Sequence, residues 1–276
     1  MRNNKLRELI DEDKPSFGMN VTVDSPDVVE IIGKTGLVDY IEFEAEYMPY
    51  SLHSLDNLAR GTELYGMTSM IKIDKENQGF TASRALGSGF QNILFTDTKN
   101  VSDAEKCVAA VRPDGNSELG NFSSADRRFS SYGLESGTKE YVKYLNDSVI
   151  ALMIEKKGAI ENLREILSVS GVDMIVFGGN DYSMSLGKPG FVRTNPSDVK
   201  KVELEVIKIA IEMGVTPRPS ISAPQARNTK PIVFPWIAPI LVNHTLFNRF
   251  TNKANTDAKE NIKAPSLFVS LKVSRI

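Results

Sequence analysis

The sequence predicts an α/β fold, a (β/α)8 barrel around a parallel sheet, on three observations. Short β-rich runs alternate with amphipathic helical stretches at a regular period, and four such units are complete by residue 112. Within several strands the charged side chains share one face and the apolar ones the other. The 276-residue length allows one large α/β barrel or two small domains, and 41% apolar with 25% charged residues is the composition of an ordinary soluble globular protein.

The elements follow in order. After a polar leader, FGMNVTV (17–23) reads as a strand and SPDVVEIIGKTG as a helix, with Ser25 as cap, Pro26 in the first turn and Gly36 at the stop. VDYIEFEAE (38–46) is the second strand, followed by the helix SLHSLDNLARGTELYG. MTSMIKID then leads to NQGFTASRALGSG, and NILFTDT to VSDAEKCVAAVR. Residues 113–136 are rich in Gly, Ser and Asn without periodicity, which marks an ordered functional loop or a mobile lid. Helical GTKEYVKYLNDSV precedes strand VIALMIE (149–155), helix GAIENLREILSVSG, strand VDMIVFGG (172–179), helix PSDVKKVELEVIKIAIEMG and strand VTPRPSI. Residues 1–226 thus make the barrel body. Residues 227–276, with prolines scattered through an apolar stretch, form an atypical C-terminal segment that completes or extends it; PIVFPWIAPILV is the candidate eighth strand.

Composition narrows the function. A formal charge of −2 and the lack of a basic stripe argue against a nucleic-acid partner. There is neither an apolar signal core nor an apolar run long enough to span a bilayer, so no membrane partner and a cytoplasmic location are expected. Cys107 is the only cysteine and reads as a buried packing residue, while His53 and His244 are the only histidines. A metal site must therefore be built mainly from oxygen ligands, which suits hard ions such as Mg²⁺ or Mn²⁺.

Strand alternation puts Glu42, Glu44 and Glu46 on one face, opposite Ile41, Phe43 and Ala45. With the apolar face on the helices, the acids point into the lumen near the strand's C-terminal end, where barrel active sites assemble. Met70, Lys72 and Asp74 share a face in the third strand, so Lys72 is either a lumenal cation or an edge lysine reaching solvent. Glu155 ends the fifth strand and Asp181 follows the sixth; the two either converge on one cation or cap strand-to-helix turns. Lys156 should face away from Glu155. Gly178, Gly179 and Asn180 precede a short helix, DYSMSLG, whose N–H groups suit an anion such as the carboxylate of a 2-oxo acid. No dinucleotide-type glycine fingerprint follows a strand, which argues against a nucleotide site.

Over roughly residues 15–226 the sequence resembles the HpcH/HpaI aldolases, which have a phosphoenolpyruvate/pyruvate-type barrel. The resemblance is carried by MIEKKGAIENLREILSVSGVDMIVFGGNDYSMSLGKPG, ALGSGFQNILFTDTKNVSDAEKCVAAVR and the frame DYIEFEAEYMP. It implies that Glu155 and Asp181 are ligands of a divalent metal, Mg²⁺ or Mn²⁺ with Co²⁺ as a further option, and that the pyruvoyl carboxylate rests near Gly178 and Asn180. It also implies a homo-oligomer, a trimer or a hexamer, in a family whose members trade C-terminal helices between subunits.

The chain departs from that family's pattern at several positions. Tyr47 stands where the family has the histidine associated with acid/base work, Lys72 where it has an arginine, Met153 where it has a glutamine and Thr96 where it has a proline. A phenol is a poor base near neutral pH but a good donor, and lysine keeps the charge without the bidentate fork. The expected reaction is metal-dependent aldol cleavage or formation of 4-hydroxy-2-oxo acids, with a 2-oxo acid and an aldehyde as partners. Lys72 would sit beside the enolate oxygen, substrate-binding and catalytic at once, and a water held by Glu46 or Glu44 would take the hydroxyl proton with help from Tyr47. Oxaloacetate decarboxylation or another enolate-type lysis, a Schiff-base reaction at Lys72, and a non-catalytic ligand-binding or assembly barrel are the alternatives.

Overall fold

The computed structural model describes residues 2–115, 119–222 and 267–270. Parallel strands β1 (Phe17–Val21), β2 (Tyr40–Glu44), β3 (Thr68–Ile73), β4 (Asn92–Phe95), β5 (Val149–Ile154) and β6 (Met174–Phe177) pair in sequence order. Helices α2 (Pro26–Lys34), α3 (Leu52–Glu63), α4 (Gln78–Ser88) and α5 (Val101–Ala109) connect the first of them, as βα units require. Between α5 and β5 lies α6 (Lys139–Asp147). The stretch after β5 is split at Asn162 into α7 (Lys157–Glu161) and α8 (Leu163–Leu167), where one helix was expected. Past β6 come α9 (Gly179–Ser185), α10 (Phe191–Thr194) and the long α11 (Pro196–Glu212). Gly179 therefore opens a helix rather than ending a strand.

The sheet closes on itself. Its hydrogen-bonded order runs from β7 (Thr216–Pro217), beside β6, through β1 to β9 (Leu267–Ser270) and β8 (Ser220–Ser222). Only residues 218–219 separate β7 from β8, so the two ends of that order are halves of one broken strand. Pro217 and Pro219 lack the N–H that a continuous ladder needs, which accounts for the break. The eighth position, between this strand and β1, is filled by Leu267–Ser270, which pairs with Phe17–Met19 on one side and Ser220–Ser222 on the other. The predicted eighth strand, PIVFPWIAPILV, lies outside the described residues.

Two cores follow from strand alternation. Ile41, Phe43, Ile71, Ile73, Ile93, Phe95, Ile150, Leu152 and Ile154 face outward and pack against the helices. Tyr40, Met70, Leu94, Val149, Ala151, Met174 and Val176 form a separate lumenal cluster. Tyr40 lies so close to β1 that a Cβ at Gly18 would stand 2.3 Å from its ring. Leu6 joins the lumenal cluster, because the segment predicted as a polar leader is in part a helix, α1 (Lys5–Asp11). Its cap residue, Asn4, donates to Asn92 Oδ1 at 2.8 Å and to the Asp147 carbonyl at 2.9 Å. Arg7 donates to the Asp147 and Ser148 carbonyls and pairs with Asp173 at 2.7 Å. All these partners stand where strands β4, β5 and β6 begin, so α1 stoppers the N-terminal mouth.

The Gly/Ser-rich stretch near residues 113–136 was expected to be functional or a lid. It packs at that same N-terminal end: Phe129 stacks on Tyr141 and Tyr144, and Arg128 donates to the carbonyl of Ser88 at the end of α4. It lies on the end opposite the strand C-termini and does not cover them. No helix among the described residues is long and apolar enough to cross a membrane.

Candidate functional site

Above the apolar plug the lumen turns ionic. Glu42 is 1% exposed and receives both terminal nitrogens of Arg218, Nη2 reaching Oε1 at 3.3 Å and Nη1 lying on Oε2. Arg218 also reaches the Met70 sulfur at 3.8 Å. Burial works against its charge, but Glu42 more than restores it and holds the guanidinium above its ordinary pKa. Arg218 was not anticipated. Counting alternate residues in TPRPS places it on the lumenal face with Thr216 and Ser220, but the flanking prolines mask the strand.

One layer higher, Asn20 on β1 donates to Glu44 Oε1, and Lys72 Nζ lies 3.6 Å from Glu44 Oε2. Asn20 was likewise missed; its signal was a lone amide on the face it shares with Gly18. Lys72 is 6% exposed, a lumenal cation and not an edge lysine. Its Nζ lies 2.7 Å from Glu46 Oε2 and donates to Tyr47 Oη at 2.7 Å. Burial disfavours its charge, but Glu44, Glu46 and Tyr47 together raise its pKa above the ordinary lysine value. Burial pushes Glu44 up to about 8, reinforced by Glu42 and opposed by Lys72. Burial likewise pushes the Tyr47 phenol up to about 12, against the pull of Lys72.

Across the lumen Glu155, 3% exposed, crowns β5. Its Oε1 accepts from the Asp97 N–H at 2.9 Å, yet burial, aided by Asp181, raises its carboxyl to about 7. Gly178 makes room for it, since a Cβ there would stand 2.6 Å from Glu155 Oε2. The Gly178 N–H, expected to face an anion, donates to the Ile154 carbonyl at 3.2 Å and is spent on the sheet. Asn180 lies in the first turn of α9, beside Asp181.

Asp181 is the more open acid, with 42% of its side chain exposed, and its Oδ1 lies 3.3 Å from Lys156 Nζ. Lys156, expected to face away from Glu155, makes its ion pairs with the other two acids: its ammonium bridges Asp181 and Asp97, the latter at 2.5 Å. Asp97 thus touches both sides of the pair, through its amide to Glu155 and through Lys156 to Asp181. It holds a left-handed backbone, φ 57°, that non-glycine residues rarely adopt. Thr96, before it, donates to the Ile73 carbonyl at 2.9 Å.

Among the described residues no cluster of three or more Asp, Glu, His or Cys is placed to hold a metal. Glu155, buried and proton-seeking, and the more open Asp181 nevertheless have the chemistry to hold a hard divalent ion, whose remaining ligands would be substrate and water oxygens. Beside them opens a cleft of about 530 Å³, walled by Asp74, Lys75, Glu76, Lys99, Asp97 and Lys156, with Lys157, Gly158 and Ser185 behind. Its side chains are charged or hydroxylic. Cys107 is buried in the outer core, and burial, aided by Asp103, raises its thiol to about 12.

Known proteins share this arrangement of elements. The sequence pattern of the family described as HpcH/HpaI aldolase/citrate lyase matches residues 17–216. The 2-dehydro-3,6-dideoxy-6-sulfogluconate aldolase of Pseudomonas putida is 29% identical over 169 residues, 60% of this chain and 63% of that protein, so the match spans less than two thirds of the relative. The hydroxypyruvate/pyruvate aldolase of Sagittula stellata is 26% identical over 215 residues, 77% of this chain and 81% of that one. A solved HpcH/HpaI aldolase/citrate lyase family protein from Burkholderia cenocepacia superposes with a TM-score of 0.74 at 18% identity, covering 98% of this chain and 94% of that one. At that identity the likeness establishes the fold.

Proposed function

Because the chain belongs to the HpcH/HpaI aldolase/citrate lyase family, we propose that it is a divalent-metal-dependent carbon–carbon lyase that cleaves or forms 4-hydroxy-2-oxo acids through a pyruvate enolate. The observation that carries this reading is the placement of Glu155 and Asp181 just past the C-terminal ends of the neighbouring strands β5 and β6, with a buried, firmly charged lysine on β3 of the same sheet. Glu155 and Asp181 would hold the ion, which would supply Lewis acidity for the developing enolate charge.

The chain's own groups do the rest. Lys72, kept protonated by Glu44 and Glu46, adds a fixed positive charge beside the enolate oxygen. That state makes it a poor nucleophile, which favours the metal route over a Schiff base. Glu44, with its carboxyl near 8, exchanges a proton at neutral pH and serves as the base for the 4-hydroxyl in cleavage. Tyr47 keeps its proton and works as a donor: its oxygen accepts from Lys72 and its hydroxyl is coupled to Glu46, a short relay to the mouth. Asn20 holds Glu44 in place, and Arg218 holds Glu42 beneath it. The polar cleft offers both donors and acceptors, which suits a hydroxylated aldehyde better than an alkyl or aryl one.

The test is pyruvate release from a panel of 4-hydroxy-2-oxo acids with Mg²⁺, Mn²⁺ or Co²⁺ added. Release that stops on chelation is expected, fastest for acids that yield hydroxylated aldehydes. No release across the panel, with metal binding intact, would reject the reading.

A further inference from the structure

Two carboxylates meant for a cation are expected to stand open to it, and here one of them does not. The ammonium of Lys156 lies 3.3 Å from Asp181 Oδ1 and 2.5 Å from Asp97 Oδ1, so a positive charge already sits between two acids no more than about 6 Å apart. The shorter contact is the one to Asp97. Asp97 is fixed by the N–H it gives Glu155, at the expense of a left-handed backbone. Lys156 also lines the polar cleft, whose wall includes the further acids Asp74 and Glu76.

We propose that Lys156 is a tethered cation that competes with the divalent metal for Asp181, and that Asp97 is its second berth, drawing the ammonium aside when the metal enters. The proposal rests on the metal reading above, but it concerns the affinity of the site and not its chemistry. The charge arithmetic supports it: one unit charge touching a carboxylate must be moved or shared before a second cation takes that oxygen, and the cost falls on metal binding. Its consequence is a site tuned to bind its ion weakly and release it readily. Removing the ammonium strengthens the site; removing Asp97's charge leaves the ammonium no alternative and weakens it.

The experiment is Mn²⁺ titration of the full-length protein, with free Mn²⁺ read by electron paramagnetic resonance and no substrate present. Lys156→Met is expected to lower the Kd about five- to tenfold, Lys156→Arg to leave it near the wild-type value, and Asp97→Asn to raise it. In the Lys156→Met background, Asp97→Asn should lose most of its effect, because the competitor is gone. An unchanged or higher Kd for Lys156→Met overturns the competition and makes Lys156 a residue that holds Asp181 in position. Absence of Mn²⁺ binding by every protein, wild type included, overturns the metal reading and the competition with it. Lys156 stands at the rim with 19% of its side chain exposed, and circular dichroism checks that the substituted proteins fold.

Discussion

Two ionic clusters share this lumen and differ in how completely they are closed. Glu42 and Arg218 form a pair sealed from water, each side chain 1–2% exposed, with both acid oxygens engaged. Glu155 and Asp181, higher up, are joined only through neighbours: one accepts a single amide hydrogen while its carboxyl is pushed to about 7, and the other is half open to solvent. A closed pair holds strands together, and an open one has oxygens left for something else. The difference in closure thus separates a sealed Glu–Arg ion pair from two carboxylates with oxygens to spare.

The comparison is broken most severely at Glu155. Glu155→Gln should cut turnover on the order of 10³-fold while the metal-free fold is no less stable, since a buried charge has been removed. Steady-state rates and urea melts of the same preparation measure both; a destabilised protein with good turnover would reverse the assignment. Arg218→Met should do the opposite in kind, costing about 3–5 kcal/mol of stability by stranding Glu42, as read by urea denaturation.

The smallest effect is one of pH. Glu155 keeps its proton to about pH 7 when folded, against an ordinary 4.5, so the folded chain binds more protons in that window. Stability of the metal-free protein should therefore fall as pH rises from about 4.5 to about 7, by up to about 1.4 kcal/mol per unit. Glu44 extends the decline toward 8. Glu155→Gln should flatten the lower part of the curve in denaturant titrations, and Mn²⁺ should do the same for the wild type by taking the proton's place.

Most of the barrel was legible because strand alternation is a strict rule. Glu42 and Glu44 face inward opposite Ile41 and Phe43, and Lys72 faces inward opposite Ile71 and Ile73, as a period of two demands. The rule failed where its signal was interrupted. Arg218 sits between two prolines that break the ladder, and its partner Glu42 is 176 residues away. The seven-residue α1 has too few turns to display periodicity, and what fixes it, the Asn4 and Arg7 contacts to distant carbonyls, leaves no local trace. The strand that fills the eighth position is separated from β8 by 44 residues, so proximity along the chain gave no cue. Within the site, alternation separates Lys156 from Glu155 but says nothing of where a four-methylene side chain ends, and the ammonium lies between Asp97 and Asp181, a reach that residue spacing does not encode.

The stopper formed by α1 makes the barrel a cup rather than a tube. With Leu6 in the lumenal cluster, and Asn4 and Arg7 tied to the strand entrances, the described residues block the axis at its N-terminal end and leave the strand C-termini as the way in and out.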